Sequence, residues 1–307
     1  MQIFHSSKEF RPSKKPIVAA LGNFDGVHLG HQAILAKMVS AAKAGTAWAG
    51  VYTFEPHPAK ILAPSSPPLL IQTVAQKLDC LESLKLDWVV LEPFDGDFAK
   101  KSPEDFFDKI LLSRLQAKEL WVGTDFTFGF RRSGTVSDLQ KLCQEHEVSL
   151  HITQPQFKQD TLISSSRIRE MILQGNVHDA QTLLGKPFAL MGSVIKGAGL
   201  GTKLGIHTAN LAEENELIPK VGIYITTTRI QGKNFSSVTS VGTNPTFPGK
   251  GFSIETHILD FDQSIVGKKI EVLFLKWLRE EKVFTSSASL VVAIRQDIDA
   301  ARKYHEV

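Results

Sequence analysis

The stretch that most constrains the fold is the eleven-residue segment 21–31, LGNFDGVHLGH. It follows the apolar run 17–20, which is typical of a buried strand, and it precedes residues 32–43, whose apolar side chains recur at helical spacing. The segment therefore predicts a strand-to-helix turn. Its three glycines let the backbone approach a ligand closely, and the free N–H groups at the start of a helix attract an anion. We expect a phosphate-bearing ligand here.

Two histidines, His28 and His31, lie at the entry of the predicted helix. Side chains three positions apart on a helix are neighbours, so both imidazoles can donate hydrogen bonds to phosphoryl oxygens. The alternative is that they only cap the turn, and an isolated pair of this kind favours neither interpretation.

The whole segment is more specific, because it resembles the G-x-F-D-G-x-H-x-G-H signature of the bacterial bifunctional riboflavin kinase/FMN adenylyltransferase family. That family lies within the wider H-x-G-H nucleotidyltransferase superfamily. The resemblance implies that His28 and His31 are catalytic and that the other signature residues bind the nucleotide. These residues are Gly22, Phe24, Asp25, Gly26 and Gly30.

Length and composition restrict the class of protein. With 307 residues the chain is long enough for two domains. The formal net charge of +3 and the lack of a dense Lys/Arg run argue against a nucleic-acid partner. No apolar run approaches about 18 residues and the first residues lack a signal-peptide pattern, so we expect neither a membrane-spanning nor an exported protein. Cys80 and Cys143 lie in apolar helical patterns, which favours core thiols and a cytoplasmic location.

Strands and helices alternate in the first part of the chain. Alternation of this kind predicts an α/β fold with a mostly parallel, doubly wound (Rossmann-like) sheet. Ligands bind such sheets beyond the carboxyl ends of the strands, and the polar motifs described next fall at these ends. The predicted strands after the first are 48–54, 88–91, 120–122 and 148–152, and the predicted helices between them are 74–84, 103–112 and 135–146.

His57 follows the second predicted strand in the segment 53–58, TFEPHP. Its two prolines predict a fixed loop that presents His57. Taken alone, His57 is more typical of an ordinary surface histidine. The segment resembles an F-x-P-H-P motif of the same family, which implies that His57 lines the adenylyltransferase pocket. Residues 64–68, with prolines at both ends, predict a further loop.

The glycine-punctuated segment 123–134 follows the fourth predicted strand. Its phenylalanines could pack on the domain, or they could stack on a planar ring beside Arg131 and Arg132. We favour ring binding, because an aspartate and two arginines beside exposed aromatic rings gain little from packing. The segment resembles the family element G-x-D-F-x-F-G-x-x-R-x-G, which implies flavin-nucleotide and ATP binding by Asp125, Phe126 and Phe128.

A third cluster, residues 163–170 with the sequence ISSSRIRE, opens a helix. One serine is enough for a helix cap, whereas three serines and two arginines make a better phosphate cradle. The cluster matches the family motif I-S-S-[ST]-x-x-R. The resemblance implies that Arg169 acts on the triphosphate of ATP and that its neighbours bind the nucleotide. These neighbours are Ser164, Ser165, Ser166 and Arg167.

The pattern changes after Gly185-Lys186-Pro187. Successive strands without intervening helices predict an antiparallel β-barrel, which the final helix at 287–303 closes. We therefore predict two domains, 1–184 and 187–307. The predicted barrel strands are 188–195, 222–230, 236–241, 253–259 and 269–277.

The predicted barrel has its own phosphate-type segment, the glycine-rich residues 192–205, which is neither a P-loop nor a dinucleotide fingerprint. In the segment 206–211 that follows, Thr208 and Asn210 face the same side of an extended chain and could hold Mg²⁺ and a phosphate oxygen. Glycine density alone is weak evidence, because tight turns in a barrel also need glycine. Together with Thr208 and Asn210, the segment predicts nucleotide binding at Gly197, Gly199 and Gly201.

Residues 192–211 resemble the flavokinase module of the same family, in which a glycine-rich loop leads into G-F-P-T-A-N. Further matches are 219–224, 241–247 and 255–261. The resemblance implies that Glu255 is the catalytic base, and a strand-end carboxylate suits that role. Arg279 matches a position near the flavin, although a solvated charge cluster explains it as readily.

The resemblance predicts that the barrel phosphorylates riboflavin to FMN and that the N-terminal domain adenylylates FMN to FAD, with Mg²⁺, ATP and small-molecule substrates only. An oligomer is compatible with the sequence, which specifies none. Three family positions differ in this chain: Ile206 replaces phenylalanine, His207 replaces proline and Lys203 replaces arginine. The alternatives are an FMN adenylyltransferase with an impaired kinase module, a cytidylyltransferase-like enzyme, and a non-catalytic flavin-binding protein.

Overall fold

The computed structural model describes residues 1–197, 206–243 and 251–306. The chain divides into two compact units. Unit 1 comprises Met1–Pro68 and Val74–Ile163, and unit 2 comprises Leu69–Thr73 and Ser164–Val307. The predicted boundary near residues 184–187 lies further along the chain than this division by packing. As a division of function it stays a prediction.

Unit 1 is built on a six-stranded sheet. Its strands are β1 Gln2–Phe4, β2 Ile17–Leu21, β3 Trp48–Glu55, β4 Trp88–Pro93, β5 Ala117–Gly123 and β6 Ser149–Thr153. They lie in the order β1-β4-β3-β2-β5-β6, and every neighbouring pair is parallel. The predicted parallel sheet is confirmed, with β1 as an additional edge strand.

Helices cover both faces of this sheet. They are α1 Leu29–Ala44, α3 Val74–Ser83, α4 Pro103–Phe106 with the π-helical turn Phe107–Leu112, and α5 Val136–Glu145. The short helix α2 Pro58–Leu62 has no buried residue. Alternate residues of β2 belong to two apolar clusters: Val18 packs with Met38 of α1, and Ala19 packs with Ile110 after α4. Because consecutive strand residues face opposite sides, this division confirms the doubly wound arrangement.

The strand order predicts a crevice at the carboxyl ends of two central strands, β2 and β5. β2 lies between β3 and β5. The chain runs from β2 through β3 to β4 on one side, and then crosses over to β5 on the other side of β2. At such a switch point the loops after the two neighbouring strands diverge, and ligands bind between them. The loops concerned are the predicted segments after residues 21 and 123.

The loop predicted around His57 is partly wrong. His57 is the N-cap residue of α2, and Pro58 is the first helical residue. A proline is favourable there, because its fixed φ suits the first helical turn and the missing N–H has no partner to lose. Pro58 therefore starts a helix, whereas Pro56 lies before it.

Unit 2 contains a closed six-stranded antiparallel barrel. A short antiparallel pair, β7 Phe157–Lys158 and β8 Thr161–Leu162, precedes the barrel along the chain. The barrel strands are β9 Phe188–Ile195, β10 Ala209–Glu213, β11 Gly222–Ile230, β12 Lys233–Gly242, β13 Ser253–Ile258 and β14 Lys269–Arg279, in the order β10-β13-β12-β11-β14-β9. The helices are α6 Ser165–Leu173, α7 Val177–Leu184 and α8 Ser287–His305. Ala301 and Ile298 of α8 pack on Ile223, Ile225 and Val238 of the barrel. The predicted barrel and terminal helix are confirmed, and β10 is a strand that the pattern of apolar residues missed.

Fully buried hydroxyl groups link three barrel strands. Thr226 Oγ1 lies 2.8 Å from Ser237 Oγ and 2.8 Å from Thr239 Oγ1, and Thr239 Oγ1 lies 2.9 Å from Thr256 Oγ1. Each hydroxyl has a partner, so burial leaves none unsatisfied. This hydroxyl ladder fixes the register of β11, β12 and β13, the last of which carries Glu255.

We predict that Gly50→Ala destabilises unit 1 by about 2 to 3 kcal/mol or more, as overpacking of a dense core does. An added Cβ at Gly50 of β3 would lie 2.1 Å from Trp88 Cδ2 and 2.3 Å from the Trp88 carbonyl oxygen. Urea unfolding followed by tryptophan fluorescence measures the change. Gly96→Ala is the matched control, because no atom lies within 4 Å of its added Cβ. Equal stabilities of the two variants would contradict the packing of β3 against β4.

Candidate functional site

The turn that follows β2 is strained. Phe24 (φ 50°) and Val27 (φ 40°) adopt the left-handed region, and Gly26 lies between them with φ 83°. A residue with a side chain in this region costs on the order of 1–3 kcal/mol, and such strain clusters at functional sites. Phe24 and Val27 are both buried in the apolar cluster that contains α1. Packing therefore holds the turn in a conformation that its backbone alone disfavours.

His28 and His31 lie side by side at the start of α1. His28 Nδ1 accepts a hydrogen bond from the His31 backbone N–H at 3.3 Å, and the two rings stack with centroids 3.6 Å apart and an interplanar angle of 14°. A Cβ at Gly30 would lie only 3.1 Å from His28 Nδ1, so a side chain at this position would crowd the His28 ring. His28 both caps the helix and pairs with His31. Because its Nδ1 is an acceptor, its proton is on Nε2.

Both imidazoles are electrically neutral near pH 7. Burial lowers the pKa of His28 to about 4. Burial also lowers the pKa of His31 well below its usual value, and the neighbouring charges of His28 and Lys77 lower it further. His31 Nδ1 is buried without a hydrogen-bond partner among the described residues. An unsatisfied buried polar atom is costly, and a ligand oxygen or donor would relieve that cost.

Lys77 of α3 is a residue that sequence reasoning missed. Its side chain is 5% exposed, and its Nζ donates to the Asn23 carbonyl oxygen at 3.0 Å. The carboxylates of Asp25 and Glu55 are its electrostatic partners. The sequence contains a pattern that indicates its burial. Lys77 lies three residues after Val74 and four before Leu81, so it belongs to the face of α3 that packs on the sheet.

The segment after β5 has mixed roles. Phe126 and Phe128 stack with centroids 5.7 Å apart, and Phe128 is 7% exposed and packs on Phe106. The packing interpretation therefore describes Phe128. Asp125 is exposed at the same strand end. Since β5 neighbours β2, Asp125 and Phe126 lie at the same end of the sheet as the strand-to-helix turn of residues 21–31, which we call the histidine turn. Their contact with a flavin stays a prediction.

Two predicted ligand-binding clusters are occupied by local contacts. In unit 1, His57 Nδ1 accepts from the Ala59 N–H at 3.2 Å. In unit 2, Ser164 Oγ accepts from the Arg167 N–H at 3.3 Å, so Ser164 caps α6. Arg167 pairs with Glu170 at 2.7 Å, and Arg169 Nε donates to the Leu69 carbonyl at 2.7 Å. The capping interpretation holds for Ser164. The phosphate roles of Ser165, Ser166, Arg167 and Arg169 stay predictions.

Unit 2 brings the predicted kinase residues together on neighbouring strands. Thr208 Oγ1 donates to Glu255 Oε2 at 3.3 Å, and Ser253 Oγ donates to Glu255 Oε1 at 3.2 Å. Asn210 of β10 is the register partner of Glu255 on β13, and its amide packs against the backbone of Gly197. A hydroxyl, an amide and a carboxylate thus lie next to one another on the barrel.

A hydrogen bond to the backbone of His207 holds the chain before Thr208. The His207 carbonyl accepts a hydrogen bond of 2.8 Å from His257 Nδ1, which therefore carries a proton. This contact restrains the backbone where the family has a proline. Other predicted residues of this site lie outside the described residues, namely Gly199, Gly201, Lys203 and the segment 244–247.

Arg279 forms a partly buried ion pair, so the solvated charge cluster is wrong. Its Nε and Nη2 donate to the two carboxylate oxygens of Asp297 at 2.9 and 2.6 Å, and Asp297 is 7% exposed. A bidentate pair of this kind ties β14 to α8. A flavin contact of Arg279 stays a prediction.

The described residues contain neither a metal-binding cluster of His, Cys, Asp or Glu nor a membrane-spanning helix. No three His, Cys, Asp or Glu side chains come together as a metal-binding group in the parts of the chain that the structure describes. None of the helices in those same parts is long and apolar enough to cross a membrane.

Comparison with known proteins gives matches over nearly the whole chain. A family model described as FAD synthetase matches residues 10–167, and one described as riboflavin kinase matches residues 184–305. A Pseudomonas fluorescens protein named bifunctional riboflavin kinase/FMN adenylyltransferase is 33% identical, over 98% of this chain and 97% of its own. An Escherichia coli protein of the same name is 33% identical, over 94% of this chain and 92% of its own. A Streptococcus pneumoniae crystal structure described as a macrolide-efflux protein superimposes with a TM-score of 0.88 and 31% identity, over 98% of each chain.

We predict that acid weakens unit 1 through His28. The folded protein binds a proton at His28 only below about pH 4, whereas the unfolded chain binds it below 6.5. The unfolded state therefore holds more protons between these values, and the free energy of unfolding falls by about 3 kcal/mol as the pH drops from 6.5 to 4. Urea unfolding at several pH values measures this loss. His28→Gln should show a smaller loss, and an equal loss in both proteins would contradict the assignment.

Proposed function

This chain belongs to the bifunctional riboflavin kinase/FMN adenylyltransferase family and makes FAD from riboflavin by way of FMN, and we propose that the barrel carries out the first step and the parallel-sheet domain the second. The observation that supports this division is that each unit holds its own group of candidate catalytic residues: the paired histidines on the sheet, and the Thr208–Glu255 pair on the barrel. The cytidylyltransferase alternative is not favoured, because the riboflavin kinase model accounts for the barrel.

In the kinase step, Glu255 accepts the proton of the terminal ribityl hydroxyl while the oxygen of that hydroxyl attacks the γ-phosphorus of ATP. The products are FMN and ADP. Thr208 and Ser253 each donate to one carboxylate oxygen of Glu255, which orients the base. A general base in this position typically contributes 10²- to 10⁴-fold to the rate.

Thr208 and Asn210 are the residues that would hold Mg²⁺ in this unit. Their hydroxyl and amide oxygens are hard ligands, and magnesium commonly takes few protein ligands and completes its shell with phosphate oxygens and water. When bound, the ion neutralises charge on the phosphates of ATP.

In the adenylyl-transfer step, a phosphate oxygen of FMN attacks the α-phosphorus of ATP, and pyrophosphate leaves. The nucleophile is already anionic, so no base is required. The lowered pKa values of His28 and His31 support hydrogen bonding to phosphoryl oxygens as their contribution. Donors aimed at developing charge are the usual means of stabilising such transition states. We assign the neutralisation of charge on the triphosphate to Arg169, the arginine that matches the family motif.

The contacts around Thr208 favour a working kinase over an impaired one. Thr208 keeps its hydrogen bond to Glu255, and His257 binds the backbone of His207.

The cysteines support a cytoplasmic location. Cys80 and Cys143 form no disulfide. Cys143 is buried, and desolvation raises its pKa to about 11.

We predict that His28→Ala and His31→Ala each lower FAD formation from FMN by about 10²- to 10³-fold, the usual effect of removing one such donor. Riboflavin phosphorylation should continue, so FMN accumulates when riboflavin and Mg-ATP are supplied. Chromatographic separation of the three flavins measures both steps. The control His146→Ala changes an exposed histidine of the same unit. Undiminished FAD in either test variant would refute the assignment.

We predict the reverse pattern for Glu255→Gln, which removes the proposed base and keeps its shape. FMN formation should fall by at least about 10²-fold, while supplied FMN is still converted to FAD. The same flavin separation measures this result. Glu280→Gln is the matched control, because Glu280 is 68% exposed. Loss of both activities in Glu255→Gln would indicate a folding defect, and retention of both would exclude Glu255 as the base.

A further inference from the structure

Lys77 is a buried cation beneath the histidine turn, and the mechanism above does not use it. The side chain comes from α3, and its Nζ reaches the Asn23 carbonyl at 3.0 Å. Asn23 directly precedes the strained residues of the turn. A lysine is almost never buried to 5% exposure without partners that require it.

The Asn23 carbonyl is held from two sides. Thr53 Oγ1 of β3 donates to the same oxygen at 3.2 Å. A carbonyl oxygen has two lone pairs, so these two donors fill its capacity. Thr53 is fully buried and belongs to the neighbouring strand, which gives the carbonyl one anchor on the sheet and one on α3.

The surroundings of the ammonium group connect it to the histidines. Asp25 in the turn and Glu55 at the end of β3 face Lys77 as opposite charges. His31 of α1 is close enough for the charge of Lys77 to act on it, and His31 in turn stacks on His28. Lys77 therefore contacts the turn, and its field reaches the reactive pair.

We propose that Lys77 is a positioning residue for adenylyl transfer: by binding the Asn23 carbonyl together with Thr53, it holds the turn of Phe24–Val27 in the conformation that directs His28 and His31 at the phosphates of ATP. The inference rests on the proposed function of the two histidines. Misplacing a reacting group by about 1 Å can cost about 10²-fold in rate, so a small movement of this turn is sufficient.

The test uses the full chain and three variants, Lys77→Met, Thr53→Val and the double variant. Lys77→Met should lower kcat for FAD formation from FMN by about 10- to 100-fold, and Thr53→Val should lower it by a smaller factor. The double variant should lose less than the product of the two factors, because both side chains bind one carbonyl. Riboflavin phosphorylation should stay within about two-fold of the unchanged protein.

A second measurement separates positioning from simple stabilisation. Removing the positive charge should raise the pKa of His31, followed by the NMR shift of its ring proton, in Lys77→Met but not in Thr53→Val. The control Lys37→Met makes the same change at an exposed position of α1 and should alter neither kcat nor this pKa. If Lys77→Met does not fold, Thr53→Val decides alone, since it removes one hydroxyl and keeps the side-chain volume.

The outcomes are distinct. The proposal is overturned if Lys77→Met and Thr53→Val keep kcat for FAD formation while His31→Ala loses it, or if the factors of the two single variants simply multiply. Failure of the proposed function shows itself differently, because His31→Ala would then continue to make FAD.

Discussion

The parallel pairing of β2 with β3 on one side and β5 on the other decides where unit 1 can bind a ligand. Backbone hydrogen bonds fix these three strands side by side, so the loops at their carboxyl ends start within a short distance of each other. One loop becomes the histidine turn, another carries Asp125, and β3 supplies Thr53 and Glu55. Residues that are far apart in the sequence thus share one edge because of strand order alone.

The two candidate sites differ in their electrostatics. In unit 1 burial lowers the pKa of both imidazoles, which suits the directed hydrogen bonds to phosphoryl oxygens that we propose for them. In unit 2 a carboxylate is oriented by two hydroxyl groups at a barrel edge, which suits proton removal from an alcohol. This difference matches the division of labour that we propose, because a phosphate monoester is already an anion whereas a ribityl hydroxyl must lose a proton.

The sequence predicted the architecture well and the side-chain contacts less well. Apolar periodicity located the central strands of the sheet and most of the barrel, since burial of one face or both dictates that pattern. It missed β1 and β10, which are short or polar, and it misjudged the prolines around His57, where one proline starts a helix. Motif spacing singled out His28, His31, Thr208 and Glu255 because each motif is local, and the structure brings the members of each pair into contact. Arg279 and Lys77 were misjudged or missed, because their partners Asp297 and Asn23 are distant in the chain and only the fold brings them together.

The histidine turn is maintained by a narrow balance of energies. Two left-handed residues with side chains cost on the order of 1–3 kcal/mol each, and the unpartnered His31 Nδ1 adds about 1–3 kcal/mol. Burying the side chains of Phe24 and Val27 returns about 1.5–3 kcal/mol each. Since these amounts are similar, packing alone leaves little surplus to keep the turn rigid. The two hydrogen bonds on the Asn23 carbonyl, one of them from a charged donor, are therefore of the size that decides whether the imidazoles are already in place when a nucleotide arrives.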